Sequence, residues 1–237
     1  MEKIKEKYKS IILIDKPSGI SSFDCIRKLR PIIEVSKMGH AGTLDPLATG
    51  LMIIGVGKEG TRSLNDFKNL EKNYQVTALL GVSTTTGDTE GEIEEEREVS
   101  LDIKEVKKAV FALEGEKNLL VPLYSAIKKK GKPLYWYARK GIPVEVPYKT
   151  MVVKRADFED FYEEKGKKYI RFQVKVSSGT YVRSLVEELG RVLGVPATVS
   201  ALRRTAIGSY SLEKAYSLKD IEAGTVKIDH DFTRSDS

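Results

Sequence analysis

Residues 51–60, Leu-Met-Ile-Ile-Gly-Val-Gly-Lys-Glu-Gly, decide what kind of sheet this chain builds. An apolar run leads straight into Gly55, Gly57 and Gly60, which together satisfy GxGxxG. As a dinucleotide loop, the stretch would make the chain a doubly wound α/β protein. That reading also needs a parallel βαβ unit and an acidic residue about 20 positions further on. The window holds Gln75, Val76 and Thr77 instead, inside Lys72–Leu80, where Tyr74, Val76 and Ala78 alternate as in a strand. The glycines therefore read as a turn closing the strand Leu51–Val56, and nucleotide binding falls away.

Outward from this point the pattern stays strand-rich. Ser10–Asp15 reads as a buried strand stopped by Lys16-Pro17-Ser18-Gly19. Ser21, with Asp24 three residues on, reads as the N-cap of a short helix through about Lys28. Gly39–Gly50 reads as a loop, since four of its twelve residues are Gly or Pro. The acidic run Glu90–Glu98 reads as a solvated turn, and Val106, Val110, Phe111 and Leu113 mark an amphipathic helix. Strands at Thr150–Asp157 and Tyr169–Val176 precede a helix with Val182, Leu185, Val186, Leu189, Val192 and Leu193 on one side. A final turn, Leu218–Glu222, follows a Ser217 cap. Strands cluster without a βαβ rhythm, which predicts an α+β fold with a mixed, largely antiparallel sheet.

Composition bounds the function. The 237 residues carry 40 Lys+Arg against 34 Asp+Glu, a net charge of +6 that permits a polyanionic partner without requiring one. One cysteine, Cys25, makes no internal disulfide, and with His40 and His230 it is too little for a zinc site of the common type. No apolar run approaches the roughly 20 residues of a membrane span. No GxxxxGK[ST] loop is present, and Ser125 lies in YSAIK instead of a GxSxG elbow. Only two glutamines and a 31% charged fraction tilt the composition towards a thermophile. A cytoplasmic protein with no cofactor and no metal is the expectation.

Four features remain that could carry chemistry. In Gly39-His-Ala-Gly-Thr-Leu-Asp-Pro-Leu-Ala-Thr-Gly50, Asp45 precedes a proline that favours extended backbone and an exposed carboxylate, although Asp-Pro also begins many helices. In Ser177-Ser-Gly-Thr-Tyr-Val-Arg183, the arginine falls in the first turn of a helix, where the macrodipole opposes a cation. A carboxylate partner would resolve that conflict; a solvated helix face is the plainer reading. Tyr74 on its strand reads first as a packing residue. Segment 124–140 interleaves Tyr124, Lys128, Lys129, Lys130, Lys132, Tyr135, Trp136, Tyr137, Arg139 and Lys140, a mixture suited to phosphates and stackable bases or to a plain surface helix.

Taken together, GHAGTLDPLATG (39–50), Lys72-Asn73-Tyr74, SSGTYVRSL (177–185) and Leu202-Arg203-Arg204 resemble the tRNA pseudouridine-55 synthase (TruB) family. KPSGISS (16–22) and YSAIKKKGKPLYWYAR (124–139) also match, in unbroken order from about residue 10 to 210. The resemblance implies the pseudouridine synthase fold, with a catalytic domain over 1–215, a thumb-like insertion at 124–150 that clasps RNA, and a short tail at 216–237. The PUA-type domain that many members carry is expected to be absent. It further implies that Asp45 is the catalytic carboxylate, that Tyr74 stacks on the target uracil, and that Arg183 pairs with Asp45. Asp88 would be a second acidic partner of that arginine. Leu202 would line the pocket, His40 would sit by the flipped nucleotide, and Lys16 with Pro17 would support the tyrosine. Lys16, Lys128, Lys129, Lys130, Lys132 and Arg139 join His40, Asp88 and Leu202 as expected RNA-binding or substrate residues. The activity implied is isomerisation of uridine 55 in the tRNA T-arm, by a monomer without protein partners. The alternatives are a guide-RNA-dependent synthase subunit and a non-catalytic RNA-binding or chaperone protein on the same scaffold.

Overall fold

The structure, a computed structural model, describes residues 10–225. From the N-terminal side the elements are β1 (Ile11–Lys16), α1 (Ser22–Ile33), β2 (Met38–Ala41), β3 (Thr49–Val56), α2 (Gly57–Lys68) and β4 (Lys72–Leu80). Next come β5 (Val82–Thr84), β6 (Ile93–Glu96), α3 (Ile103–Phe111), β7 (Gly115–Leu120), β8 (Lys128–Lys129), β9 (Lys132–Pro133) and α4 (Leu134–Arg139). The described residues end with β10 (Tyr148–Glu164), β11 (Lys167–Val176), α5 (Val182–Leu193), β12 (Ala197–Ile207), β13 (Tyr210–Ser211), β14 (Tyr216–Ser217) and α6 (Leu218–Glu222). They form two compact units, one running to Tyr74 and resuming at Leu202, the other Gln75–Ala201.

In the first unit, β1 pairs antiparallel with β3 over its whole length and parallel with β14. β3 also takes β2 antiparallel and the end of β12 in parallel, so the pairing is mixed, as the strand-rich pattern predicted. Its core gathers Ile11, Ala41, Leu51, Ile53, Leu64, Phe67 and Ile207. Burying α2 against β3 and β2 explains the glycines of 55–60. A β-carbon at Gly55 would overlap the carbonyl of Gly60, and one at Gly60 would overlap the carbonyl of Ser10. These glycines seat a helix on antiparallel strands; they do not cradle a phosphate.

That helix corrects the expected turn. Only Gly60, Leu64 and Phe67 of its twelve residues are buried, too few to set a readable helical period against a glycine-rich start. Two further expectations shift. The segment read as loop from Gly39 begins as β2, leaving 42–48 as the true loop. α1 also runs on to Ile33, with Pro31 accommodated in its last turn and Glu34 closing it in the left-handed region. The capping box of Ser21 and Asp24 is present as expected.

The second unit is built on the long antiparallel hairpin β10–β11, with β7 on the outer side of β10. Ile170, Phe172, Val174 and Val176 alternate inward from β11. α3 packs on β10 and α5, and α5 buries Val182, Leu185, Val186 and Leu189 at helical spacing while Val192 stays exposed. Part of the acidic run is a strand after all: β6 pairs with β5, its glutamates turned to solvent. Residues 216–225, expected to open a tail, are folded, with Leu218 and Ile221 buried and Ser217 capping α6; the rest of that tail lies outside the described residues.

Candidate active site

Asp45 sits half-buried in loop 42–48, and no helix follows it; β3 does, which removes the N-cap reading. Its neighbours are pinned on both sides. Before it, the Leu44 N–H donates to Ser22 Oγ at 2.8 Å, and the same hydroxyl donates to the Leu44 carbonyl at 3.0 Å. After it, the Pro46 carbonyl accepts from Lys16 Nζ at 3.0 Å and from the Gly19 N–H at 2.9 Å. Ser18 Oγ donates to the Leu47 carbonyl, and the Ala48 N–H closes a tight turn onto the Asp45 carbonyl at 3.1 Å. These partners of Leu44, Pro46 and Leu47 come from Lys16–Ser22. That segment is a template on which the Asp45 loop is laid.

Lys16 is accordingly not an RNA contact. It is completely buried, and its ammonium also donates to the Pro17 and Ile20 carbonyls at 2.8 and 2.7 Å. A buried cation satisfied this way costs little once its carbonyls are in place and much if they move.

On the floor of the same unit lies a second buried cation, Arg204. Its Nε donates to the Leu51 carbonyl at 2.7 Å and its Nη2 to the Gly42 carbonyl at 3.1 Å, so it ties both ends of the Asp45 loop to β12. The approach of β12 to β3 that permits this exists because residue 50 is glycine, with φ of +102°; a β-carbon there would overlap the Arg204 carbonyl. Burial, then the charge of Arg204, lowers the pKa of His40, with the Gly42 backbone pulling weakly the other way. The imidazole is neutral at pH 7. The same two causes push Lys72 down to about 8, its Nζ donating to the Lys68 and Leu70 carbonyls. Tyr74 and Leu202 are both buried on their strands. Arg203 forks onto both carboxylate oxygens of Asp15, at 3.2 and 2.7 Å.

In the second unit, two carbonyls are among the partners of Arg183. It is buried, and donates to the Thr86 carbonyl at 2.8 Å and the Tyr124 carbonyl at 2.9 Å. Asp88 is not its partner, which corrects the expectation. The Asp88 carboxylate accepts from Thr86 Oγ1 at 2.6 Å and from the Glu90 N–H at 3.1 Å, folding a side-chain turn. That turn is tied to β12 by the Thr89 N–H on the Val199 carbonyl and the Val199 N–H on the Gly87 carbonyl. Asp88 and Arg183 thus both bond Thr86, the one at its hydroxyl and the other at its carbonyl.

The basic-aromatic segment is a hairpin followed by one short helix. Lys129 and Lys132 pair across Lys130 and Gly131, whose φ values of +48° and +79° are those of a type I′ turn. Leu134 anchors the hairpin in a small core with Val121 and Met151. Lys128, Lys130, Lys132 and Arg139 are exposed, with Lys132 over the Trp136 ring at 5.7 Å and Arg139 over the Tyr135 ring at 5.5 Å. Lys129 differs: its ammonium is held by the carboxylate and carbonyl of Glu145, at 2.8 and 3.0 Å. Sequence reasoning passed over Ser22, Thr86 and the ties made by Arg204. Nothing in residue type separates a hydroxyl that bonds a distant loop from one at the surface. Among the described residues, no cluster of His, Cys, Asp and Glu is placed to hold a metal, and no helix is long and apolar enough to cross a membrane.

Comparison with known proteins bears on this geometry. The model for the TruB family pseudouridylate synthase N-terminal domain matches residues 30–182. A second, for the tRNA pseudouridylate synthase B C-terminal domain, matches 183–235, so the likeness extends over the segment read as a tail. The tRNA pseudouridine synthase B of Lactobacillus delbrueckii subsp. bulgaricus is 42% identical over 219 residues, covering 90% of this chain and 73% of that one. That of Burkholderia pseudomallei is 41% identical over 215 residues, covering 91% and 70%. Among solved structures, the archaeal box H/ACA Nop10–Cbf5 complex superposes with a TM-score of 0.66 at 22% identity, over 93% of this chain. A Cbf5–Nop10–Gar1 complex gives 0.67 at 25% identity over 92%. This chain spans 55% of the length of each of those two, and the likeness confirms the pseudouridine synthase fold. The chain belongs to the TruB family of pseudouridylate synthases.

Proposed function

We propose that this chain isomerises uridine 55 of the tRNA T-arm to pseudouridine, with Asp45 as the carboxylate presented to the flipped nucleotide. The observation that carries the reading is the fixing of Asp45: both flanking residues are hydrogen-bonded to one segment, Lys16–Ser22, through the buried side chains of Lys16 and Ser22. Family membership and relatives named tRNA pseudouridine synthase B support the substrate.

The reaction is balanced without electron transfer. The C1′–N1 bond breaks, the uracil turns, C5 bonds to C1′, the C5 proton leaves and N1 takes one up. A carboxylate reaches this centre only after the base has left its stack, at a cost of a few kcal/mol. In this reading Tyr74 offsets that cost by stacking, worth about 1–3 kcal/mol per base, and Leu202 lines the pocket. His40, being neutral, adds no charge that would compete for Asp45. Arg183 is given a catalytic role by the resemblance alone. Lys128, Lys130, Lys132 and Arg139 grip the RNA backbone. The protein works in the cytoplasm as a monomer.

The test uses the purified chain and an unmodified tRNA transcript, with the product position mapped. Pseudouridine at the single T-arm position, lost in Asp45→Asn while tRNA binding persists, is the expected result. Absence of pseudouridine with the wild-type chain overturns the reading. The guide-RNA-dependent alternative predicts turnover only with added partners, and about 40% identity to relatives named tRNA pseudouridine synthase B favours the first reading.

A further inference from the structure

We infer that Ser22 is a positioning residue for Asp45, acting through both backbone polar groups of Leu44. This rests on the role proposed for Asp45. Ser22 is the first residue of α1, immediately behind the Ser21 cap, and it is 2% exposed. Its hydroxyl accepts from the Leu44 N–H at 2.8 Å and donates to the Leu44 carbonyl at 3.0 Å, across 22 residues of sequence.

Three observations set this contact apart from ordinary packing. First, one hydroxyl serves both polar groups of a single residue, so it fixes the orientation of that residue and not merely its distance. Second, Leu44 is itself buried at 3%, so water is not at hand to replace either bond. Third, Ser22 cannot drift, because the Ser21–Asp24 capping box holds the turn it stands on: the Ser21 N–H donates to Asp24 Oδ2 at 2.9 Å, and the Asp24 N–H donates to Ser21 Oγ at 3.1 Å. The rigid start of a helix is thereby coupled to the peptide that enters Asp45. With Lys16 and Gly19 holding the carbonyl of Pro46, the residue after it, the carboxylate is aimed before RNA arrives. Reacting groups held this way gain rate by orientation, and a displacement of about 1 Å can cost on the order of 100-fold.

A residue that only stabilises the fold would alter melting and leave turnover of the folded fraction intact. Ser22→Ala deletes both bonds, whereas Ser22→Thr keeps the hydroxyl. Single-turnover pseudouridine formation and tRNA affinity are measured for both well below the melting temperature. The expected result is a kcat reduced roughly 10- to 100-fold in Ser22→Ala, with the Kd for tRNA within about twofold of wild type. Ser22→Thr should recover most of the rate. Should the alanine variant fail to fold, Ser22→Cys fills the same space with a thiol that bonds only weakly, and it should show the same split. A kcat within twofold of wild type in the folded Ala or Cys variant overturns the inference. So does an equal loss in kcat and affinity, or a threonine variant as slow as the alanine one. A wild-type chain that makes no pseudouridine would instead overturn the role given to Asp45.

Discussion

Lys16 Nζ lies 3.0 Å from the carbonyl oxygen of Pro46, so a completely buried ammonium holds the residue that follows Asp45. The bond joins the end of β1 to the loop before β3, thirty residues away in sequence, and it is shared with two carbonyls of the Lys16–Ile20 turn. Charge is used here as a fastener for backbone and not as a lure for RNA.

Lys16→Met keeps the length of the side chain and removes its donors. Three carbonyls lose a partner, and at about 1 kcal/mol each the expected cost is roughly 2–4 kcal/mol of stability. Because one of the three belongs to Pro46, catalysis should fall on the order of 10-fold or more even in the folded fraction. Urea unfolding and single-turnover rates check the two effects separately. Full activity in Lys16→Met would show that the loop keeps its shape without the ammonium.

The fold was legible in the sequence wherever one face of an element is buried and the other is not. β4 alternates, α5 repeats at three and four residues, and the capping box at Ser21 announces α1. It was illegible where glycine does the packing. Where α2 meets β3 the contact surface is the absence of side chains at Gly60 and Gly55, which resembles a turn or a nucleotide loop until the antiparallel strands beneath are known. The candidate site divides the same way. Asp45 and Arg183 stand in distinctive motifs, but the carbonyls of Thr86 and Tyr124 that Arg183 bonds are supplied by distant backbone. Hydrogen bonds to carbonyls leave no trace in residue type, so the sequence alone does not show Lys16 as a support for the loop.

Gly50→Ala should be among the most damaging single-methyl changes in the chain. The residue combines a φ of +102° with a β-carbon position that overlaps the Arg204 backbone. The insertion should part β3 from β12, loosen the bond from Arg204 to Leu51, and cost about 3 kcal/mol or more. For a chain of this size that is roughly 10 °C in melting temperature. Gly57→Ala is the control: its φ is +66° but nothing lies within 4 Å of its β-carbon, so only the left-handed penalty of about 1–2 kcal/mol applies. Equal losses in the two variants would mean that backbone strain, and not strand contact, makes Gly50 necessary.

Replacing Lys128, Lys130 and Lys132 together by Ala should weaken tRNA binding and flatten its salt dependence. Each phosphate neutralised contributes roughly 0.7–0.9 to the slope of log K on log salt, so the slope should drop by about 2. Lys129→Ala should change it far less, because that ammonium is already engaged by Glu145, whose carboxyl is held below the usual range by the same bond. Affinity measured across a salt series decides the matter. A slope unchanged in the triple variant would move the RNA grip away from this hairpin.

Lys72 predicts a stability gain on the alkaline side. Burial, reinforced by Arg204, brings its pKa in the folded chain to about 8, well under the ordinary lysine value near 10.5. Between those values the unfolded chain binds the proton more tightly than the folded one, so stability must rise with pH across that window. Cys25 works in the opposite sense: burial raises its thiol above the ordinary value of 9.0, so the folded chain keeps a proton there that the unfolded chain releases, and stability falls as pH climbs past it. The wild-type curve should therefore climb from pH 8 to about 9 and then flatten. Lys72→Met isolates the first contribution, because it removes the lysine titration and leaves Cys25 in place. Its urea midpoint should lose the rise above pH 8. Below pH 8 the variant also gives up the bonds to the Lys68 and Leu70 carbonyls at the end of α2, so its midpoint there reports their worth against the cost of burying a charge. Parallel pH profiles for the two proteins would show that Lys72 titrates as an ordinary surface lysine.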